Sequence, residues 1–381
     1  MDRENHRLSR ERANWTVALL SVLCLCIFTY LTVQWQQNGT LMPVWENNMQ
    51  TGDEQMDGSY YTLYDEETGE AIEYMSRKVY PGDELLTGDN KHYKVKKVDG
   101  QKAWCQLLEQ RETEQALASL EDTAQVVSSQ SGPFRSVAIY CTHSDESYVP
   151  TSGTESKNGG GDILDVATSI VEVLEDQGVE VIHSENIHDP HDVNAYQRSR
   201  KTAAELLQEG PAAMIDVHRD GVPDPEYYAT EFDGQAATQI RLVVGRQNQN
   251  SEANIEFAEK MKAYYDEVKP GLIKSIFMAK GNYNQDLAPH SILLEVGTHT
   301  NSLEQAEVGA REFAEALPQF LGLKTNGEAE QPEAAGVQET EPKQQEEKNG
   351  GIGKAILWLI VLAVVGGLGF VWVSRGSLKK D

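Results

Sequence analysis

The chain has 381 residues, room for two or three domains, and a formal net charge of −27. So acidic a balance excludes nucleic acid as a partner, because phosphate binding needs clustered Lys and Arg. Its 4 cysteines, Cys24, Cys26, Cys105 and Cys141, are too few for a disulfide framework, so any folded domain must be held by its core.

In chain order, a basic tail over 1–14 precedes a charge-free run from Trp15 to Val33. This is close to the roughly 20 residues that cross a bilayer as a helix, and predicts a transmembrane helix over 15–35. No small-x-small cleavage site follows it, so it reads as an anchor holding Cys24 and Cys26 in the membrane. A second apolar run, Ile352 to Val373, predicts another span over 352–373, followed by a tail over 374–381. Arg3, Arg7, Arg10 and Arg12 flank the first run, and Arg375, Lys379 and Lys380 flank the second. Basic flanks stay inside, which predicts a cell-membrane protein with two spans, both termini cytoplasmic and everything between them outside.

Between the spans, short alternating stretches with turn signals (YYTLY, VYPGDELLTGD, HYKVKKVDGQKAW) predict a small β module over 57–105. A helix is expected over 106–127, and SSQSGP reads as a linker. From residue 134 to 322, strands and helices alternate. SVAIY, VEVIH, AAMIDVH, IRLVVG and SILLEVG read as strands. Ile163 to Gln177, Asn194 to Gln208, Asn254 to Val268 and Leu303 to Leu321 read as helices. This alternation predicts an α/β domain with a mostly parallel or mixed sheet and helices on both faces. Residues 324–350 are rich in Glu, Gln, Pro and Gly and predict a disordered acidic linker.

Three strand ends carry chemistry, and in such sheets the site lies beyond the carboxyl ends of the strands. The first ends in Cys141, His143 and Glu146, the third in Asp216, His218, Arg219 and Asp220, and the late one in Glu295. Two histidines with a carboxylate are a common zinc set, and a further carboxylate can take a proton from metal-bound water. Glu295 inside an apolar strand would be costly to bury without a partner. Cys141 shares a face with His143 on strand alternation and reads as a neighbour of the site rather than a ligand. Taken singly, a histidine at a strand end is most often only half exposed, and His188, His191, His290 and His299 read as loop residues.

The runs IYCTHSDESY, NGGGDILDVATSIVEVLEDQGVEVIHSENIHD, AYQRSRKTAAELL, IDVHRDGVP, RLVVGRQNQN and GNYNQDLAPHSILLEVGTHTNSLEQA occur in that order over about residues 134–321. Together they resemble the stage II sporulation protein P family, which is similar in turn to zinc-dependent N-acetylmuramoyl-L-alanine amidases. The resemblance implies a zinc amidase-like fold and hydrolysis of peptidoglycan, at the amide joining muramic acid to the stem peptide or at the crosslinks. It implies Zn2+ as cofactor, with His143 and His218 as ligands and Glu295 as the catalytic carboxylate, followed by the Asn301 to Glu304 stretch. Glu146, in the family-like run S-D-E-S-Y, is the chosen third ligand, and Glu155 and Asp162 are the alternatives. Implied partners are peptidoglycan, the membrane, a lytic transglycosylase and a polytopic membrane protein of engulfment.

The family usually has H-T-H where this chain has Cys141-Thr142-His143, and the amidase pattern makes the surviving second histidine the ligand. A catalytically degenerate module that binds cell wall or a partner is the alternative reading. Arg219, Asp220 and Asn284 are expected to bind substrate or support the ligands, with Asp286 near the cleft. Arg198 and Arg200 point to different faces of one helix, so one of them is structural.

Overall fold

The computed structural model describes residues 58–110, 136–192 and 194–326. Thirteen strands run β1 (Tyr61–Asp65), β2 (Ala71–Met75), β3 (Glu84–Thr87), β4 (Lys91–Asp99), β5 (Lys102–Gln110), β6 (Ser136–Tyr140), β7 (Glu180–His183), β8 (Ala213–Asp220), β9 (Ala229–Phe232), β10 (Gln235–Thr238), β11 (Ile240–Gly245), β12 (Ile273–Ala279) and β13 (Ser291–Thr298). Four longer helices are α1 (Ile163–Asp176), α2 (Ala195–Leu206), α3 (Ser251–Val268) and α4 (Leu303–Phe320). Eleven strands form one sheet in the order β2-β1-β5-β4-β3-β12-β11-β13-β8-β6-β7, and β9 and β10 form a separate hairpin.

Strand alternation sorts side chains between the two faces of the sheet. Val137 and Ile139 of β6, Ile215 and Val217 of β8, Leu242 and Val244 of β11, and Ile292 and Leu294 of β13 share one core with α1, α3 and α4. α1 supplies Ile163, Val166, Ala167, Ile170 and Leu174, the 3-and-4 spacing of a buried stripe, and Gly178 follows its end at φ 83°. α4 starts on a capping box between Ser302 and Gln305 and buries Ala306, Ala310, Phe313, Ala314 and Leu317.

The opposite face has two covers. α2 lies over Ala138, Tyr140 and Met214. The strands of the expected β module cover the rest: Leu63, Met75, Val79, Leu85, Tyr93 and Val95 pack against Val243, Phe277 and Leu293. Each such apolar side chain contributes about 1.5–3 kcal/mol when fully buried. The module is therefore not a separate unit preceding the domain. β3 pairs with β12 and continues the sheet, which then folds back over its own face.

Several expectations are corrected. Pairing of β4 with β5 runs to Lys91 opposite Gln110, so 106–110 is strand, where a helix was expected, and the remainder of 106–127 lies outside the described residues. β12 was not foreseen, nor was the β9–β10 hairpin, although its Asp233-Gly234 turn, with φ 51° and 79°, is a strong hairpin signal.

The two membrane-spanning helices and the membrane topology built on them are also withdrawn. Among the described residues no helix is long and apolar enough to cross a membrane. The longest, α3 and α4, have 18 residues each and carry a charged face, including Glu252, Glu256, Glu259 and Lys260 on α3. The segments 15–35 and 352–373, the tails and most of the expected linker lie outside the described residues. The fold class of the described residues is an α/β mixed sheet.

Candidate metal and catalytic site

From Ser136 to Tyr148 every residue is buried, so the polar run after β6 is no surface turn. Its backbone is laced inward: Glu146 N donates to His143 O at 3.1 Å, Gly161 N to Ser144 O at 2.7 Å and Ile163 N to Glu146 O at 3.1 Å. Gly161 must be glycine, since a Cβ there would lie 2.1 Å from Glu146 O. The run thus folds back under the start of α1 and aims the His143 and Glu146 side chains at β8.

His218 lies on β8 and Glu295 directly opposite it on β13, with Arg241 of β11 opposite Glu295 in turn. The three form a row on the face covered by α2 and the first strands. The site therefore lies on the sheet face at the carboxyl ends of the strands: His143 and Glu146 follow the end of β6, while β8 and β13 continue past His218 and Glu295, to Asp220 and Thr298.

His143, Glu146 and His218 each offer one ligand atom, all within 4.8 Å of one another. His143 Nδ1 is 3.1 Å and His218 Nδ1 3.3 Å from Glu146 Oε1. Ligands of a tetrahedral zinc at about 2.0–2.2 Å are themselves about 3.3–3.5 Å apart, so these two separations and the donor types suit that ion. Arg219 N donates to the other oxygen, Glu146 Oε2, at 3.0 Å. Behind His218, Nε2 lies 3.1 Å from Asp216 Oδ1, off the line of a good hydrogen bond. Asp216 is itself fixed by Thr142, whose N and Oγ1 donate to its two oxygens at 2.7 Å each. A carboxylate behind a histidine fixes the ring's orientation.

The buried charges of the cluster compensate one another. Burial works against a charge on His218, but Asp216 and Glu146 more than offset it, and the imidazole pKa is pushed up to about 10. Burial also opposes the Glu146 carboxylate, yet His218 and His143 hold its pKa well below the usual range. His143 is shifted down, chiefly by burial. Burial likewise raises Glu295, against the pull of Arg77.

The alternative third ligands turn elsewhere. Glu155 is half exposed, 4.0 Å from His299 Nε2. Asp162 accepts from Tyr148 N at 3.0 Å and Ser152 Oγ at 2.5 Å. Cys141 is also corrected: it keeps the face of Val137 and Ile139 and packs in their core with Ile163, and it does not share a face with His143, because β6 ends at Tyr140 and the chain bends at 142–143.

The other expected site residues divide. Arg219 N reaches the cluster, whereas Asp220 is taken up by Ser76, Tyr228 and Arg241. Asn284 bonds Ser199 Oγ at 3.0 Å and Tyr196 O at 3.2 Å, tying its loop to α2. Arg198 clamps the loop over 188–192 through His188 O and Asp192, and Arg200 pairs with Asp286 through two bonds of 2.8 and 2.6 Å.

Four contributors have no assigned role in the sequence reading. Asp216 stands two before His218 and therefore on its face, a readable signal. His191 lies against His143 with ring centroids 3.7 Å apart and the rings tilted by 34°, and burial with the neighbouring His143 pushes its pKa down to about 2. His188 braces the same loop, with Nδ1 2.8 Å from Cys141 O. Arg77, which pairs with Glu295 at 2.5 Å, comes from the first strands and had no local signal.

The family model of stage II sporulation protein P matches residues 57–318. The chain belongs to the stage II sporulation protein P family. Its match starts at residue 57, so β1 to β5 fall inside the family region, beyond the stretch from 134 on which the sequence motifs lie. Stage II sporulation protein P of Bacillus subtilis is 26% identical over 208 residues, 50% of this chain and 52% of that protein. The chain thus spans about half the length of that curated relative.

Among solved structures, the catalytic domain of CwlV, an N-acetylmuramoyl-L-alanine amidase from Bacillus (Paenibacillus) polymyxa var. colistinus, is 16% identical and covers 50% of this chain and 99% of its own, with a TM-score of 0.31. The CwlD amidase from Clostridioides difficile, solved in complex with the GerS lipoprotein, is 13% identical and covers 49% and 98%, with a TM-score of 0.32. At these scores neither likeness carries an argument about the present chain.

Proposed function

We propose that this chain is a peptidoglycan hydrolase of sporulation, a zinc-dependent N-acetylmuramoyl-L-alanine amidase. The observation that carries the reading is the convergence of His143, Glu146 and His218 beside Glu295, in a member of the stage II sporulation protein P family. His143 and His218, through Nδ1, and Glu146, through Oε1, would hold the metal. Bound zinc supplies a Lewis acid for the amide carbonyl and a water acidified to about neutral pH.

The chain's own groups do the rest. Arg219 N holds the second oxygen of Glu146, and Asp216 holds His218 in place. Glu295 Oε2 is buried and without a hydrogen-bond partner, which suits it to accept the proton of the attacking water. As the C–N bond breaks, the same oxygen returns the proton to the departing alanine nitrogen. The water oxygen remains on the lactyl carbon as a carboxylate. Peptidoglycan is the substrate on this reading, and other engulfment proteins, a lytic transglycosylase among them, are its working partners.

The rival, a degenerate binding module, drew on the missing family histidine at Cys141. That position packs in the helix core and offers the cluster no ligand to lose, which favours the enzyme.

The complete chain is expected to release new L-alanine amino termini from purified sacculi, to stop when a chelator removes the metal, and to resume with added zinc. New amino groups from the crosslinks alone would make it an endopeptidase. Stoichiometric zinc without any new amine would favour the binding module.

A further inference from the structure

The segment that follows β2 reaches into the site. Arg77 Nη2 lies 2.5 Å from Glu295 Oε1, and both side chains are buried. The other carboxylate oxygen, Oε2, has no hydrogen-bond partner among the described residues. Glu295 is thus held at one oxygen and free at the other.

The strip bearing Arg77 is itself fastened at several points to the strands that carry the site. Ser76 Oγ donates to Asp220 and accepts from Gly221 N at 2.9 Å, just past His218 on the chain. Glu73 pairs with Arg241 at 2.7 Å, and Arg241 also pairs with Asp220. Tyr74 N donates to Tyr227 Oη at 2.9 Å. The guanidinium lies 5.1 Å from the Tyr283 ring centroid, and Tyr283 is edge-on to Tyr196. A planar cation against an aromatic wall, on a strip pinned to the neighbouring strands, has little freedom to turn.

We propose that Arg77 is the positioning residue of Glu295, fixing Oε1 so that Oε2 is presented to the proton in transfer. The proposal rests on the reading of Glu295 as the base. It also gives the first five strands a part in catalysis: they deliver the group that orients the base from more than two hundred residues away in sequence. The metal cluster draws its support from Arg219 N and Asp216, so zinc should bind without Arg77.

The test compares the complete wild-type chain with R77M, R77K, E295Q and R77M/E295Q, measuring muropeptide release from sacculi, zinc content and thermal midpoint. R77M is expected to lower release about 10- to 100-fold at unchanged zinc content, the size expected from an ångström-scale misplacement. R77K keeps the charge and should recover part of that loss. Added to E295Q, R77M should change release by less than about two-fold, because a residue acting through another has nothing left to act on.

If R77M fails to fold, R77K carries the test, with reduced release at an unchanged midpoint. Full release in R77M or in a well-folded R77K overturns the proposal. So does an undiminished R77M loss in the E295Q background, which would mean that Arg77 acts on substrate. A rise in release in R77M also overturns it, since the strip would then be a cover. Loss of release in E295Q alone leaves the base standing and removes only Arg77's role, whereas full release in E295Q removes the base itself.

Discussion

Replacing Glu295 by glutamine should lower release of L-alanine termini from sacculi by about 10²- to 10⁴-fold, the usual contribution of a positioned general base. Glutamine has nearly the same shape and can still accept a hydrogen bond from Arg77, so the loss would report basicity rather than fit. The residue suits the role physically. It is buried on β13, and burial raises its pKa towards the working pH while Arg77 tempers the rise. Zinc should stay bound, because Glu295 is not in the cluster of His143, Glu146 and His218. Release within two-fold of wild type, in a folded and zinc-loaded variant, would place the base elsewhere.

His218→Ala should have the broadest effect. Its Nδ1 faces Glu146 and its Nε2 faces Asp216, and all three groups are buried. Without the imidazole, two carboxylates lose their common partner, which for a broken buried pair costs about 3–5 kcal/mol. The variant should therefore hold no stoichiometric zinc, release no muropeptides, and unfold at a clearly lower temperature even in chelator. The last measurement separates the two effects, because chelator removes the metal from both chains. An unchanged midpoint in chelator would mean that the paired carboxylates do not depend on His218. Retained zinc would remove it from the ligand set.

Much of this site is legible in the sequence because its main groups interrupt apolar strands. His218 in AAMIDVH and Glu295 in SILLEVG are polar residues where alternation demands burial, and such residues need partners. Glu146 follows His143 in a short polar run, and the structure brings its carboxylate between the two imidazoles. What stays hidden comes from far along the chain. Arg77, Ser76 and Glu73 reach the site only because β3 joins β12 and the sheet folds over itself, and no local pattern encodes a pairing between strands so distant in sequence.

Other misreadings are local. Placing Cys141 beside His143 extends strand alternation to His143, three residues past the end of β6 at Tyr140, where the chain has already bent. LLEQ after Cys105 looked helical by propensity, yet its pairing with β4 prevails over that preference. β12, IKSIFMA, is a buried strand of mixed pattern whose polar Lys274 and Ser275 obscured it.

On the proposed function, two histidines and one glutamate hold a metal for Glu295. X-ray absorption at the zinc K edge of the purified complete chain tests it most directly. The expected result is one zinc per chain with about four nitrogen or oxygen neighbours at about 2.0–2.2 Å, two of them imidazole, and no sulfur. A sulfur neighbour at about 2.3 Å, or a chain that binds no zinc at all, would contradict it.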